Sequence, residues 1–303
     1  MRFIFFGTGT FAIPALRALA PHVVLSVSQP DRPSGRGMKL NPAPVKQVAL
    51  ELGIPTETPE KSRAPEFVEL LQSFQADALV VASYGQILSQ KVLDSAARGG
   101  INLHGSILPY YRGAAPIQRA IQNQEPETGI TLMQMDKGMD SGDIIHIERT
   151  PIGPDETYGE LQDRLAEIAA QMAVDWMPRI VQGDYPRAVQ NHDEMTLAPK
   201  IEKAECALEV NGIALHEYAK FRAFTPAPGA FMASRFGILK IGQAKLGTGT
   251  GPAGVVISTG EGCEVGFGEG SLLLQEVQPE GKKRMSGRDF ANGMRLKPGD
   301  SLI

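Results

Sequence analysis

Cysteine is scarce: Cys206 and Cys263 are the only two in 303 residues, and they lack CxxC spacing. A disulfide framework and a cysteine-rich zinc site are therefore excluded, leaving reduced, structural thiols. Long hydrophobic runs are missing too. Ala78 to Ala82 and Leu272 to Leu274 are among the longest, far short of the ~20 residues that cross a bilayer. Met1-Arg2 leads straight into Phe3-Ile4-Phe5-Phe6-Gly7, a run with neither the length nor the cleavage site of a signal peptide. A cytoplasmic protein without a membrane partner is expected. No sign of charge dominates, since 30 Lys and Arg face 34 Asp and Glu, and no global polybasic character imposes nucleic-acid binding. There is no internal repeat, coiled coil or low-complexity tract. What remains is a globular composition, 42% hydrophobic, in a chain long enough for two domains at roughly 100 to 200 residues each.

The first half alternates strand-like and helical patterns. Strands are expected at Arg2 to Phe6, Val23 to Ser28, Ala78 to Ala82, Ile101 to Leu103, Thr128 to Gln134 and Asp143 to Arg149, and helices at Phe11 to Ala20, Phe67 to Phe74 and Ala115 to Gln122. Such alternation reads as an α/β fold with a parallel sheet covered on both faces. Thr157-Tyr158-Gly159-Glu160 is a capping box before Leu161, Leu165, Ile168, Met172 and Trp176 at helical spacing, with Pro178 as the expected stop. From Gly183 to Lys200 the chain is polar and aperiodic. We place a first domain at residues 1–183, a linker at 184–205 and a second domain at 206–303. After a helix at Ile213 to Phe221, the second domain shows short apolar runs at Ile238 to Ile241, Gly254 to Ile257, Glu264 to Phe267 and Ser271 to Val277. Frequent turn signals between them indicate a small antiparallel barrel or sandwich.

Charge is unevenly spread. Between Gly281 and Lys297, Lys282, Lys283, Arg284, Arg288, Arg295 and Lys297 face Asp289 alone, and between Asp31 and Lys46, Arg32, Arg36, Lys39 and Lys46 face Asp31. Each patch suits a polyanion; the plainer reading is a solvated face. Pro33, Gly35, Gly37, Pro42 and Pro44 bar a continuous helix or strand through the second of these segments.

Three motifs carry chemistry. Gly7-Thr8-Gly9-Thr10-Phe11-Ala12 fits G-x-G-x-x-G/A between a strand and a helix, with Asp31 downstream, so a dinucleotide competes with a simple tight turn. Asn102 and His104 share one side of a strand by its period of two, at the carboxyl edge where open α/β sheets bind ligands. Asp136, Asp140 and Asp143 crowd one Gly-containing loop, which suits a turn or a hard cation and has no zinc spacing. If Asp140 faces His104, the set has a logic. Acyl transfer to an amine needs donors for a developing oxyanion and an acceptor for the amine's proton, and needs no serine or cysteine nucleophile. A G-x-S-x-G elbow is absent.

At Asn102, His104, Ser106-Ile107-Leu108-Pro109 and Asp136 to Asp143, the sequence resembles the methionyl-tRNA formyltransferase family of 10-formyltetrahydrofolate-dependent enzymes. The likeness extends to Tyr84-Gly85-Gln86-Ile87-Leu88, the loop from Pro30 to Lys46, Arg222 to Gly229 and Gln278 to Met285. Relatives differ at Gly9-Thr10, at Ile107 and at Ala227, where tryptophan is frequent. The resemblance implies a Rossmann-like catalytic domain followed by an OB-like β-barrel, and catalytic roles for Asn102, His104 and Asp140. It implies 10-formyltetrahydrofolate as co-substrate beside Ser106, Ile107, Leu108 and Pro109 and the backbone of Tyr84, Gly85, Gln86, Ile87 and Leu88, with no metal. The partner implied is initiator methionyl-tRNA, held by Arg32, Arg36, Lys39, Lys282, Lys283 and Arg284. A monomer that does not bind DNA is expected. A formyltransferase for a small amine, such as a nucleotide-linked amino sugar, and a noncatalytic nucleic-acid-binding protein are the alternatives.

Overall fold

The fold was obtained as a computed structural model, which describes residues 1–34 and 39–303, the side chains of 33, 34 and 39 excepted. The chain divides into two compact units. Residues 1–116, 127–150 and 162–199 form the first; residues 117–126, 151–161 and 200–303 form the second.

The first unit holds β1 (Phe3–Gly7), α1 (Ile13–Leu19), β2 (Val23–Val27), β3 (Arg32–Ser34), β4 (Lys39–Asn41), α2 (Pro44–Glu51), β5 (Thr56–Glu57), α3 (Pro65–Ser73), β6 (Ala78–Ala82), α4 (Gln90–Leu93) and β7 (Gly100–His104). There follow α5 (Pro116–Gln122), most of which belongs to the second unit, then β8 (Glu127–Gln134), β9 (Ile144–Pro151) and the long α6 (Tyr158–Gln182). The main sheet runs β5-β2-β1-β6-β7-β8-β9. Its β5-β2-β1-β6-β7 part is parallel, the Rossmann-like order with a switch point beside β1. The expected all-parallel sheet is corrected at one edge, where β8 pairs antiparallel with β7. Phe3, Ile4, Phe5 and Phe6 are fully buried, each contributing roughly 1.5 to 3 kcal/mol by the usual transfer scale. A run apolar on both sides is what a strand covered on both faces requires.

Two further expectations are corrected. Pro178 does not stop α6, which continues to Gln182. The proline removes one backbone donor, yet Met177 and Ile180 remain fully buried, so packing holds the last turn. Residues 184–199, expected to form a linker, bond within the first unit. Ala188 exchanges both backbone bonds with Ile144, and Arg112 and Ala115 pair with Thr196 and Ala198. Polar composition concealed this, because the segment is fixed by backbone pairing rather than by apolar burial.

The second unit contains α7 (Ala214–Ala223), β10 (Phe231–Ser234), β11 (Gly237–Leu246), β12 (Val256–Ser258), β13 (Cys263–Gly266), β14 (Ser271–Pro279), β15 (Met285–Ser286) and α8 (Gly287–Gly293). The strands pair in the order β10-β11-β14-β13-β12, antiparallel throughout, and β15 adds to β14. β11 is bulged between Ile241 and Ala244, which bends it in the manner of an OB-like half-barrel. Phe221, Met232, Leu239, Val265, Leu274 and Phe290 are among the residues of its core. Helix α8 lies inside the basic segment, where the charge pattern alone gave no sign of it; Ser286 caps it by accepting from the Asp289 N–H. Within this unit Arg119 grips Glu205 through two bonds, at 2.6 and 3.1 Å, and holds that carboxyl below its usual range.

Candidate active site

Strand β7 places Asn102 and His104 opposite Met133 and Thr131 of β8, both nearly buried among apolar neighbours. The loop between β8 and β9 brings Asp140 to them. Asp136 folds that loop by accepting from the Gly138 N–H and the Ser141 hydroxyl, and a side chain at Gly142 would overlap the Gln134 carbonyl. Asp140 itself adopts φ 49°, a left-handed conformation uncommon outside glycine. Asp143 pairs with Arg187. Each of the three carboxylates thus has its own partners, and among the described residues no group of three His, Cys, Asp or Glu side chains is placed to hold a metal.

Asp140 joins the set. Its Oδ1 accepts from Asn102 Nδ2 at 3.3 Å, its Oδ2 accepts from the Gly113 N–H at 2.9 Å, and the same Oδ2 stands 3.6 Å from His104 Nδ1. On the far side of the ring, His104 Nε2 lies 3.0 Å from the Tyr111 carbonyl. A carbonyl only accepts, so Nε2 carries the proton and Nδ1 faces Asp140. One hydrogen of the Asn102 amide stays free of the carboxylate. Three side chains from two sequence segments therefore converge.

The segment at Ser106 to Pro109 is held from beneath. The Thr131 hydroxyl donates to the Ser106 carbonyl and accepts from the Leu108 N–H, at 2.6 and 3.1 Å. Ser106 Oγ donates to the Tyr110 carbonyl. Ser106 and Leu108 are buried, so Ile107 and Pro109 are the members left with open surface. After β6, Tyr84 and Leu88 are also buried, whereas Ile87 is 86% exposed. Gln86 turns its side chain to the Ser62 N–H and the Pro59 carbonyl. Among the described residues, the backbone N–H groups of Gln86 and Ile87 have no intramolecular acceptor. This strip is uncharged and presents free backbone donors.

The glycine turn after β1 is filled from within. A side chain at Gly7 would meet Ala12 and Phe5, each at 2.9 Å, and Thr8 donates through its N–H to Ser83 and through its hydroxyl to Tyr84. Asp31, the possible ribose acid, is engaged by Lys46 at 2.7 Å. Close packing accounts for this turn without a dinucleotide.

Over residues 1–177 the chain matches the formyl transferase family, and over 200–295 the formyl transferase C-terminal domain family. A methionyl-tRNA formyltransferase of Chromobacterium violaceum is 46% identical over 307 residues, covering 100% of this chain and 99% of its own length. That of Symbiobacterium thermophilum is 44% identical, covering 97% and 92%. The chain belongs to the methionyl-tRNA formyltransferase family. An N-formyltransferase from Helicobacter canadensis, solved with folinic acid and dTDP-3-aminofucose, superposes with TM-score 0.66 at 17% identity, over 90% of this chain and 98% of its own. HypX from Aquifex aeolicus, solved with tetrahydrofolic acid, gives 0.68 at 14% identity, over 100% of this chain and 49% of that one. At such identities the likeness is one of fold.

In this family member the cationic candidates fall in two places. Arg32 is exposed and donates to Gln29 Oε1. Lys46 is tied to Asp31, leaving fewer free cations near β3 than the sequence count. Arg36 and the side chain of Lys39 lie outside the described residues. Lys282, Lys283 and Arg284 sit exposed on the turn from β14 to β15, and Arg284 pairs with Glu276 at 3.1 Å. Sequence reasoning missed Thr131, the Tyr111 carbonyl and Gln190, whose Nε2 donates to the Asp140 carbonyl. Nothing in a polar, aperiodic stretch singles out Gln190; Thr131 is a β-branched residue that passes for an ordinary strand member.

Proposed function

We propose that this enzyme transfers the formyl group of 10-formyltetrahydrofolate to the free α-amino group of methionyl initiator tRNA. The observation that carries the reading is the single carboxylate of Asp140 linking Asn102 and His104, in a chain related along its whole length to methionyl-tRNA formyltransferases. The free amide hydrogen of Asn102 serves the formyl oxygen as that oxygen becomes anionic. His104 supplies a second donor at Nδ1 when the imidazole carries both protons, and Asp140 balances its charge. The amine nitrogen bonds to the formyl carbon, Asp140 takes the proton that the amine loses, and as the bond from that carbon to N10 breaks the proton passes to N10 of the departing tetrahydrofolate. Such donors act where charge develops, and removing one typically costs ~10² to 10³ in rate. Ser106 to Pro109 and Tyr84 to Leu88 hold the folate by backbone contacts, while Arg32, Arg36, Lys39, Lys282, Lys283 and Arg284 engage tRNA phosphates. In domain terms, residues 1–183 carry the chemistry and 206–303 the main tRNA surface.

The test is transfer of label from 10-formyltetrahydrofolate to charged initiator tRNA, to uncharged tRNA and to a nucleotide-linked amino sugar. Label in charged tRNA alone supports the reading. Label in the amino sugar with none in the charged tRNA replaces it with the small-amine alternative.

A further inference from the structure

The side chain of Gln190 is 3% exposed and fully used. Both amide hydrogens face the Asp140 loop, donating to the Asp140 carbonyl at 2.9 Å and to the Gly142 carbonyl at 2.7 Å. Its Oε1 accepts from Arg112 Nε at 3.1 Å and from the Arg112 terminal nitrogen at 2.6 Å. Four bonds exhaust a primary amide. Arg112, also buried, donates from the same terminal nitrogen to His192 Nδ1 at 3.0 Å.

The neighbours of Arg112 are the two backbone contacts of the site. Tyr111 gives the carbonyl that fixes the His104 tautomer, and Gly113 gives the N–H that binds Asp140 Oδ2. Thr196 and Ala198 pin the Arg112 backbone from the same segment that carries Gln190. One amide therefore spans the two loops whose separation sets where Asp140 meets His104. Asp140 needs that support, because φ 49° is a conformation that persists in a non-glycine residue only when its surroundings impose it.

We infer that Gln190 is a positioning residue for formyl transfer, acting through Arg112 and the 140–142 carbonyls to hold Asp140 in register with Asn102 and His104. The inference rests on the catalytic reading of Asp140 given above. Gln190 touches no reacting atom; its effect passes wholly through that carboxylate, and displacements of about 1 Å at such a group cost on the order of 10²-fold.

Two variants separate positioning from general structure. Gln190→Ala removes all four bonds. Gln190→Glu keeps a strong acceptor for Arg112 but offers no hydrogen to either carbonyl. Each is measured by single-turnover transfer to charged initiator tRNA, alone and combined with Asp140→Asn, together with KM for the folate donor. The expected result is a rate ~10 to 10² lower for Gln190→Glu with the donor KM within about twofold. Added to Asp140→Asn, the change should cost no more than about threefold further, as for residues acting as a unit. Losses that multiply in full would overturn the inference, leaving Gln190 a general structural residue. Wild-type rates in both Gln190 variants beside an impaired Asp140→Asn would overturn it while leaving the catalytic reading intact. A wild-type rate for Asp140→Asn would overturn both.

Discussion

Asp140 Oδ2 stands 3.6 Å from Nδ1 of His104, beyond direct hydrogen-bond range, while the opposite nitrogen of the ring is committed to the Tyr111 carbonyl at 3.0 Å. The carboxylate beside Nδ1 is already held by two other donors, the Asn102 amide and the Gly113 N–H. Substituting His104→Ala or Asn102→Ala should reduce single-turnover formyl transfer by ~10² to 10³. Folate affinity should stay within a few fold, and stability should fall by about 1 to 3 kcal/mol for the buried partners left behind. The double substitution should cost much less than the product of the singles. A His104→Ala enzyme as fast as the parent in rapid quench would remove His104 from the mechanism.

Thr131 offers a test of the turn proposed to hold the folate that leaves Asn102, His104 and Asp140 alone. In Thr131→Val the Ser106 carbonyl and the Leu108 N–H both lose their partner, at a cost of about 1 to 3 kcal/mol each if no water replaces it. Donor KM should rise more than kcat falls, and urea titration should show the stability loss. An unchanged donor KM would mean that the turn keeps its shape without the hydroxyl.

In the second unit, Glu264 is buried, which raises its pKa, but bonds from the Gly249 and Thr248 N–H groups and the Ser271 and Ser258 hydroxyls outweigh burial and bring it below the ordinary carboxylate range. A depressed folded-state pKa gives stability that is fully present above the unfolded value, roughly 4.3. It is lost as pH falls through the folded value. Unfolding free energy should therefore decline with acid below about pH 5 in the parent, and the decline should be shallower in Glu264→Gln. Parallel slopes for the two proteins, measured by denaturant titration across that range, would assign the acid sensitivity to other groups.

Lys282, Lys283 and Arg284 are not equivalent, although they are consecutive. Arg284 is paired with Glu276, so its charge is already partly neutralised and removing it leaves an unpaired acid. Replacing Lys282 or Lys283 by alanine should lower the slope of log affinity for tRNA against log salt by roughly 0.7 to 0.9 for each phosphate that is no longer neutralised. Arg284→Ala should change it less. Filter binding over a salt series gives the slopes, and equal slopes for the parent and the Lys282/Lys283 double variant would move the tRNA surface elsewhere.

The side chains proposed to act are legible in the sequence because their signals are local. Period-two alternation puts Asn102 and His104 on one side of β7, and the density of Asp and Gly between 136 and 143 marks a tight loop. That the loop meets β7 follows from the chemistry those residues have in common, and from nothing in the spacing. The supporting shell is not legible. Thr131 and Gln190 act through hydrogen bonds to distant backbone, which leave no periodic trace. The antiparallel edge at β8 and the passage of α6 through Pro178 escape the sequence for a related reason, since tertiary packing overrides a local rule in both. The Gly7 turn, a weak nucleotide signal, is a packing requirement of Ala12 and Phe5.

The division of the chain into interleaved stretches has a bearing on recombination. Residues 117–126 and 151–161 cluster with the carboxyl-terminal unit although stretches of the amino-terminal unit flank them on both sides. No single crossover point therefore exchanges one unit between relatives intact. A graft made at residue 183 would give the recipient a foreign Gln190 and Thr196. One made at residue 200 keeps those two but sets a foreign Glu205 against the resident Arg119, and a foreign Tyr218 against the resident Asp155. Chimeras in this family should work only where the short inserted stretches travel with the barrel, so that changes in one unit constrain which changes the other can accept.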